Sequence, residues 1–515
     1  MDGDQAGKYV FKQTMIAAIY ILLFAAIIWY TPFFETNILK KKKLPILSVF
    51  FLKITCGFFL TWIYTRYYPD RSTADIFKYY DDAKIFYSAY ENGKVSDYLQ
   101  MVFGISNDNS YFDENYYRHM DHWYRQNNYG AYNDDHTIIR VNALIMLFSF
   151  GSFHVHTVVM CFLSLCGLTA LYRAFKGLLP RKHTVLFTAI FLLPSVLFWG
   201  SGVLKEGILL FAMGFLFYSF FQAFINKTRI LSNLLVFIFS LCLLSINKNY
   251  LLVAIVPALG CFWLVDRFKI SKPFLFYLGL YITVFFGSLA VSSIFFQNKM
   301  LATLSLKHRD FIAVAKGGVF LQNGREFARV APDKKEFLDS LPNGKFKIKA
   351  GSQYMYWKNE NLNDTIFVNS SADTSTYFLV WDMPLAGSAI EVKQLEPTYS
   401  SLFKTAPFAL YNSLCRPGFF SARSLLERVA ALENSLILLF LILCTAFCRT
   451  GMNKNLFALC FFLSITILFL IGYTTPVAGA IMRYKVAALP FMVLCGIVIF
   501  DVNKLKIFSD RQTHN

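Results

Sequence analysis

Residues 192–207 read LLPSVLFWGSGVLKEG, and the fold turns on where that stretch is placed. It lies between two apolar runs, 185–199 and 208–221. A lysine and a glutamate, Lys205 and Glu206, therefore stand side by side where a hydrocarbon-soluble hairpin has to turn. Pro194 is placed to kink the incoming helix, and Gly200 and Gly202 loosen its end. Ionisable groups this close to lipid are costly, and where they occur they usually face a bundle interior or a water-filled cavity. The plainer alternative is an interfacial turn whose lysine snorkels to phosphate headgroups.

The rest of the chain agrees with a lipid setting. Its 515 residues are 56% hydrophobic and 18% aromatic but only 16% charged, which is too little charge for a soluble globular protein. Many apolar runs are long enough to cross a bilayer. The net charge of +18 falls in short loops between those runs. That is the positive-inside pattern, and no nucleic-acid partner is expected. The ten cysteines show no CxxC pair, and most fall inside apolar runs, where they read as small core residues. No small-residue cleavage site follows the apolar stretch 15–30 before Pro32 and Phe33, so a cleavable signal peptide is not expected.

These features predict an all-α polytopic membrane protein of about eleven transmembrane helices with a small β-rich extracytoplasmic domain. Residues 1–66 supply the first two spans, and 67–138 form an outer loop rich in Asp and Tyr with interfacial helices. Residues 139–297 form a transmembrane core, 298–428 the β-rich outer domain, and 429–515 the last spans. Strands are expected over 345–357, 365–369, 377–381 and 388–395. The basic run Lys40, Lys41, Lys42 and Lys43 marks a cytoplasmic loop, which puts the N-terminus outside and the C-terminus in the cytoplasm.

On this topology several cations fall on the outer face, against the positive-inside bias. Lys205, Lys248, Arg483 and Lys485 occupy outer turns, and Arg416 precedes a span. Converging cations suit a phosphate or diphosphate group, whereas each one alone suits a helix end anchored to ordinary lipid. The stretch ADIFKYYDDAKIFYSAY (74–90) has Ile76, Tyr80, Ala83 and Tyr87 at helical spacing, as an interface-lying helix would. Asp75, Asp81 and Asp82 on it are candidates for a general base towards a sugar hydroxyl. Lys78 with Asp82 and Asp81 with Lys84 would be the ordinary surface pairs. Asp75 would also favour the helix N-terminus. Glu206 and Glu433 are candidate partners for the outer cations, and Glu433, nearly in hydrocarbon, needs one. In the tract 118–136, His119, Asp121 and His122 lack a ligand frame, so no metal and no cofactor is expected.

YYDDAKIFYSAY (79–90), LFWGSGVLKEG (197–207) and TPVAGAIMRYKVAALP (475–490), set in this span pattern, resemble the GT-C and O-antigen-polymerase-type polytopic bacterial membrane glycosyltransferases. The resemblance implies a polyprenyl-phosphate- or diphosphate-linked sugar donor, a glycan acceptor, and a site at the outer face of the inner (plasma) membrane. It also implies inversion at the anomeric carbon. The chain departs from the class in placing its Asp-rich loop after the second span, and the β-rich insertion is not a class requirement. Two other readings remain open. One is a transporter or flippase of a lipid-linked or anionic substrate, which should carry discontinuous paired helices. The other is an envelope-assembly scaffold that performs no chemistry.

Overall fold

Backbone placed in hydrocarbon must satisfy its own hydrogen bonds, so long apolar runs become helices. The computed structural model describes residues 3–501 and 504, except 37, 68–70, 72–73, 122, 124–132, 181, 297–298, 324–325, 352, 359–365, 370–374, 391 and 450. The chain forms two compact units. The first comprises Met1–Tyr281, Ser435–Ile467 and Arg483–Asn515, and the second Ile282–Asn434 and Leu468–Met482.

Helices α1 (Gly3–Tyr30) and α2 (Leu44–Tyr67) open the chain, and α3 (Asp75–Glu91), α4 (Val95–Phe103) and α5 (Ser110–Asn115) make up the polar segment. Then come α6 (Asp135–Ser149), α7 (Phe153–Lys176), α8 (His183–Phe191), α9 (Pro194–Trp199), α10 (Lys205–Phe220), α11 (Ile230–Lys248) and α12 (Tyr250–Phe268). α13 (Pro273–Phe296) leads to α14 (Lys299–Lys316) and a sheet. α15 (Tyr399–Cys415), α16 (Leu425–Ala446), α17 (Lys454–Thr474), α18 (Ala478–Tyr484) and α19 (Leu489–Ile499) follow.

Among the described residues nine helices are long and apolar enough to cross a membrane. The two remaining expected spans are the ones that break. Residues 185–199 divide into α8 and α9, each too short to span alone. The segment from α18 onward bends by 56° before α19. Pro194 opens α9 and Pro490 lies in the first turn of α19. A proline at a helix start has its φ already set and no N–H with which to continue a preceding helix.

In the first unit α7 and α10 meet backbone to backbone. A Cβ on Gly214 would fall within van der Waals contact of the Gly167 carbonyl, at 1.8 Å, so only glycine allows the approach. The break between α9 and α10 is fitted just as closely. A Cβ on Gly57 of α2 would lie 2.5 Å from the Ser201 carbonyl. Lys53 of α2, fully buried, donates to the Gly200 carbonyl at 2.9 Å, and Cys161 of α7 donates to the Ser201 carbonyl at 3.2 Å. The turn is thus held inside the bundle, and Lys205 does not snorkel to a surface.

α3 forms over the predicted stretch, and most of the face read as interfacial packs on protein. Ile76, Tyr80 and Ala83 are buried, α6 lies alongside, and the Tyr80 hydroxyl donates to the Gly151 carbonyl at 2.6 Å.

In the second unit a seven-stranded antiparallel sheet comprises β1 (Gly318–Asn323), β2 (Glu326–Val330), β3 (Leu338–Leu341), β4 (Lys345–Ile348), β5 (Gln353–Lys358), β6 (Ile366–Asn369) and β7 (Thr376–Met383). The order is β3-β4-β7-β1-β2-β5-β6. Alternation places Val319, Leu321, Val330, Ile348 and Tyr377 together in one core, while Phe320 faces Ala313 of α14. Two of the expected strands form as β6 and β7, with Thr365, at the start of one, outside the described residues; the expected strand 345–357 instead splits into β4 and β5 at a turn that includes Gly351. The described residues of 388–395 form no strand. Ala389 makes one isolated bridge to Val477, and the Ser388 carbonyl accepts the Ala478 N–H at 2.8 Å. The strands β1–β3 were not anticipated from the sequence.

Candidate functional site

Helix ends leave backbone donors and acceptors unpaired, so they draw polar side chains. In the first unit four such ends come together: the starts of α6 and α10, the α11–α12 junction, and the end of α18. Asn247 at the α11–α12 junction donates to the Lys205 carbonyl at 3.2 Å, and Thr137 of α6 donates to the Ile246 carbonyl at 2.6 Å. Those two bonds tie three of the ends together.

Lys205 Nζ lies 2.8 Å from Asp134 Oδ1 and 2.5 Å from Asp135 Oδ1, and the Tyr79 hydroxyl donates to the same Asp135 oxygen at 3.0 Å. Arg483 bridges two more carboxylates. Its Nη1 is 2.8 Å from Asp75 Oδ2 and its Nε 2.8 Å from Glu206 Oε2. Glu206 and Asp135 are essentially unexposed, whereas the side chains of Asp75 and Asp134 are 37% and 40% exposed. The network is therefore buried at its centre and open at two carboxylates. Burial pushes the Asp134 carboxyl up, but Lys205, with Lys248 beyond it, outweighs that and holds it below the usual carboxylate value.

Lys248 differs from the other cations. It is buried, yet among the described residues it has no ion pair. Its ammonium lies 4.1 Å from the centre of the Tyr484 ring and 5.9 Å from that of Tyr250. Nearby Glu206 Oε1, Asn247 Oδ1 and the Tyr250 hydroxyl are buried with no hydrogen-bond partner among the described residues. Buried polar atoms are ordinarily satisfied, and open ones collected in one place point to a functional site.

Lys205, Lys248, Arg483 and Glu206 thus share one site with Asp75, and Lys485 is buried in the turn after Arg483. Arg416 and Glu433 belong to the second unit, Arg416 half-buried after α15 and Glu433 buried on α16. Asp81 pairs with Arg71, at 2.6 and 3.0 Å, on the surface of α3, and not with Lys84. Asp82 is buried and accepts the Asp121 N–H at 2.9 Å. An excess of positive charge, as expected from the turns alone, is not what the site holds. Lys205, Lys248 and Arg483 meet Asp75, Asp134, Asp135 and Glu206. Sequence reasoning missed Asp134 and Asp135, although two acids directly before an apolar run at 138 mark a helix start. It also missed Lys53, a lone lysine within an apolar run.

Glu427 near the start of α16 has a structural role. Its carboxylate accepts the Arg423 N–H at 2.6 Å, while its own N–H is capped by Ser424. Among the described residues no group of three His, Cys, Asp or Glu side chains is arranged to hold a metal ion. His122 lies outside those residues.

His136, next to the site, predicts a pH effect. Its ring stacks on Trp123 with centroids 3.7 Å apart and shares a 2.8 Å hydrogen bond with the Trp123 carbonyl. Burial lowers its pKa to about 4. The folded state thus holds the neutral ring, while the unfolded chain takes up a proton near pH 6.5. Stability is complete above that value and falls as pH drops from 6.5 towards 4, by about 2 kcal/mol at pH 5. Hydrogen exchange at the start of α6 should therefore speed up between pH 7 and pH 5 beyond the intrinsic change. His136→Gln should flatten that slope, and an equal slope in both proteins would rule out this histidine.

The fold is that of a largely helical chain with many helices fit for a membrane, two broken segments and a buried ionic site where helix ends meet. No protein-family model, curated protein or solved structure matches the chain.

Proposed function

We propose that the chain is a multi-pass inner-membrane enzyme that transfers or polymerises sugars from a polyprenyl-phosphate- or diphosphate-linked donor at the outer membrane face. The observation that carries this reading is the buried network of the first unit, with a Lys248 ammonium that has no ion pair among the described residues and two partly exposed carboxylates at Asp75 and Asp134. Ionisable groups kept within a lipid-soluble bundle are costly and are retained for function. In this reading Lys248, with the Tyr250 hydroxyl, takes the donor phosphate. Asp75, paired with Arg483, accepts the proton of the acceptor hydroxyl. Lys205 and Asp135 position the break from which these groups project.

The broken segments α8–α9 and α18–α19 favour a second reading. Discontinuous helices whose ends face a buried polar site also serve transporters and flippases. Mass spectrometry of lipids co-purified with the protein tests the first reading, followed by transfer of labelled sugar from that lipid to a glycan acceptor in proteoliposomes. A lipid that is moved between leaflets but never cleaved would favour the second.

The topology of this reading is separately testable. Cysteines introduced at Asn127, which lies outside the described residues, and at Asn369 should react with an impermeant maleimide from the outer side. Labelling of either only after the inner face is opened would reverse the orientation.

A further inference from the structure

The second unit contains a cavity of about 910 Å³, towards the upper end of the range for small-ligand sites. It is formed around α15, α14 and the segment 392–398. Its walls are apolar at Leu395, Pro407, Phe408 and Ala409, and Tyr411 and Tyr473 add aromatic faces. Three cations line it: Lys393, Lys404 and Arg416. Among the described residues none of the three has a carboxylate within ion-pair distance. The Arg416 guanidinium lies 5.9 Å from the centre of the Tyr411 ring. One acid, Glu396, also lines the cavity.

Two neutral side chains complete the lining. His308 is 5% exposed and Asn412 8%, and both border the cavity. His308 Nδ1 accepts the Leu395 N–H at 3.0 Å. Burial lowers the pKa of this ring to about 4, so at neutral pH the ring is uncharged and its single proton is on Nε2. Among the described residues neither that Nε2–H nor the Asn412 carboxamide has a hydrogen-bond partner. Both residues line the cavity, so these two donors are open to whatever fills it.

We infer that this cavity is a binding site for a phosphate monoester carried on an apolar group, distinct from the ionic network of the first unit. Charge selects the monoester. Lys393, Lys404 and Arg416 against Glu396 leave two positive charges, which a monoester of charge close to −2 balances and a diester of charge −1 does not. Donor number agrees. Three cations with the His308 and Asn412 donors exceed what the two oxygens of a carboxylate accept, but suit three terminal phosphate oxygens. The apolar wall takes the remainder of the ligand. A membrane phospholipid with a terminal phosphate and a soluble aryl or alkyl phosphate share this chemistry.

The test uses the full-length protein in nanodiscs or detergent. Binding of dioleoyl phosphatidate, a lipid monoester, is compared with that of dioleoyl phosphatidylglycerol, a diester, and of soluble phenyl phosphate. At least one monoester should bind, with the diester weaker by about tenfold or more. Arg416→Gln combined with Lys404→Gln should weaken the monoester by about tenfold or more, while Asp81→Asn on the surface of the first unit should leave it unchanged. Binding of phosphatidate alone identifies a lipid source, and binding of phenyl phosphate as well identifies a site open to soluble esters. If the double variant does not fold, Lys404→Gln alone, on an exposed residue, should still weaken binding by about threefold. The proposal is overturned if neither monoester binds, if diester and monoester bind alike, or if the folded variants keep wild-type affinity. A failed sugar-transfer assay does not bear on it.

Discussion

Replacing Lys205 by methionine is expected to lower the folded yield sharply and to reduce the thermal transition of the detergent-solubilised protein. The lysine is 5% exposed and lies between Asp134 and Asp135 at 2.8 and 2.5 Å. Methionine fills similar space but takes the Lys205 ammonium away from Asp135, a carboxylate that is 1% exposed. Removing one partner of a buried pair typically costs about 3–5 kcal/mol, because the remaining charge stays desolvated. The Tyr79 hydroxyl still donates to Asp135 and offsets only part of that loss. Adding Asp135→Asn to Lys205→Met should restore much of the stability, since both charges are then gone. That recovery separates an electrostatic cause from a packing defect. A Lys205→Met protein that melts like the wild type would mean the pair contributes nothing to the fold. If Lys205 instead held an external phosphate, the same change would lower turnover and leave melting alone.

The contrast shows how far the sequence could be read. Uniform apolar runs are legible as helices, because a lipid-facing helix needs nothing more than its own backbone bonds and apolar side chains. Lys205, Lys248 and Arg483 could be grouped because each breaks the positive-inside bias on the topology expected from the basic loops. Their partners could not. Asp134 and Asp135 sit at the end of a long polar tract in which acids look solvated, and only the tertiary approach of α6 to α10 brings both onto Lys205 and buries Asp135. The same limit applies to Arg416, which shares a sequence signature with Arg483 but lines a cavity of the other unit. In the sheet, β1 and β2 carry the central pairing, yet GVFLQN and EFARV are too short and too mixed to stand out. The segment 388–395 alternates like a strand, but the Leu395 backbone is instead taken up by His308 and Ser305.

Asp75→Asn should abolish sugar transfer while leaving the folded protein nearly intact. Its side chain is 37% exposed, so removing its charge buries nothing, and Arg483 keeps Glu206 at 2.8 Å. Asparagine retains the shape and an acceptor oxygen but cannot take a proton, so loss of a general base should cost about 10²–10⁴ in rate. The neighbouring acids provide the controls. Asp81 is tied to Arg71 on the surface, so Asp81→Asn should keep both activity and yield. Asp82 is buried on the Asp121 N–H, so Asp82→Asn should affect yield before rate. Asp134 is the other partly exposed carboxylate of the network, paired with Lys205 at 2.8 Å as Asp75 is with Arg483, and is the alternative base. Transfer rates in proteoliposomes for the four Asn variants, each checked for a wild-type thermal transition, decide among them. A rate lost only in Asp134→Asn would move the base to the start of α6. Full rates in both Asp75→Asn and Asp134→Asn would remove general-base catalysis from this site, and the charge network would then be better explained as part of a transport path.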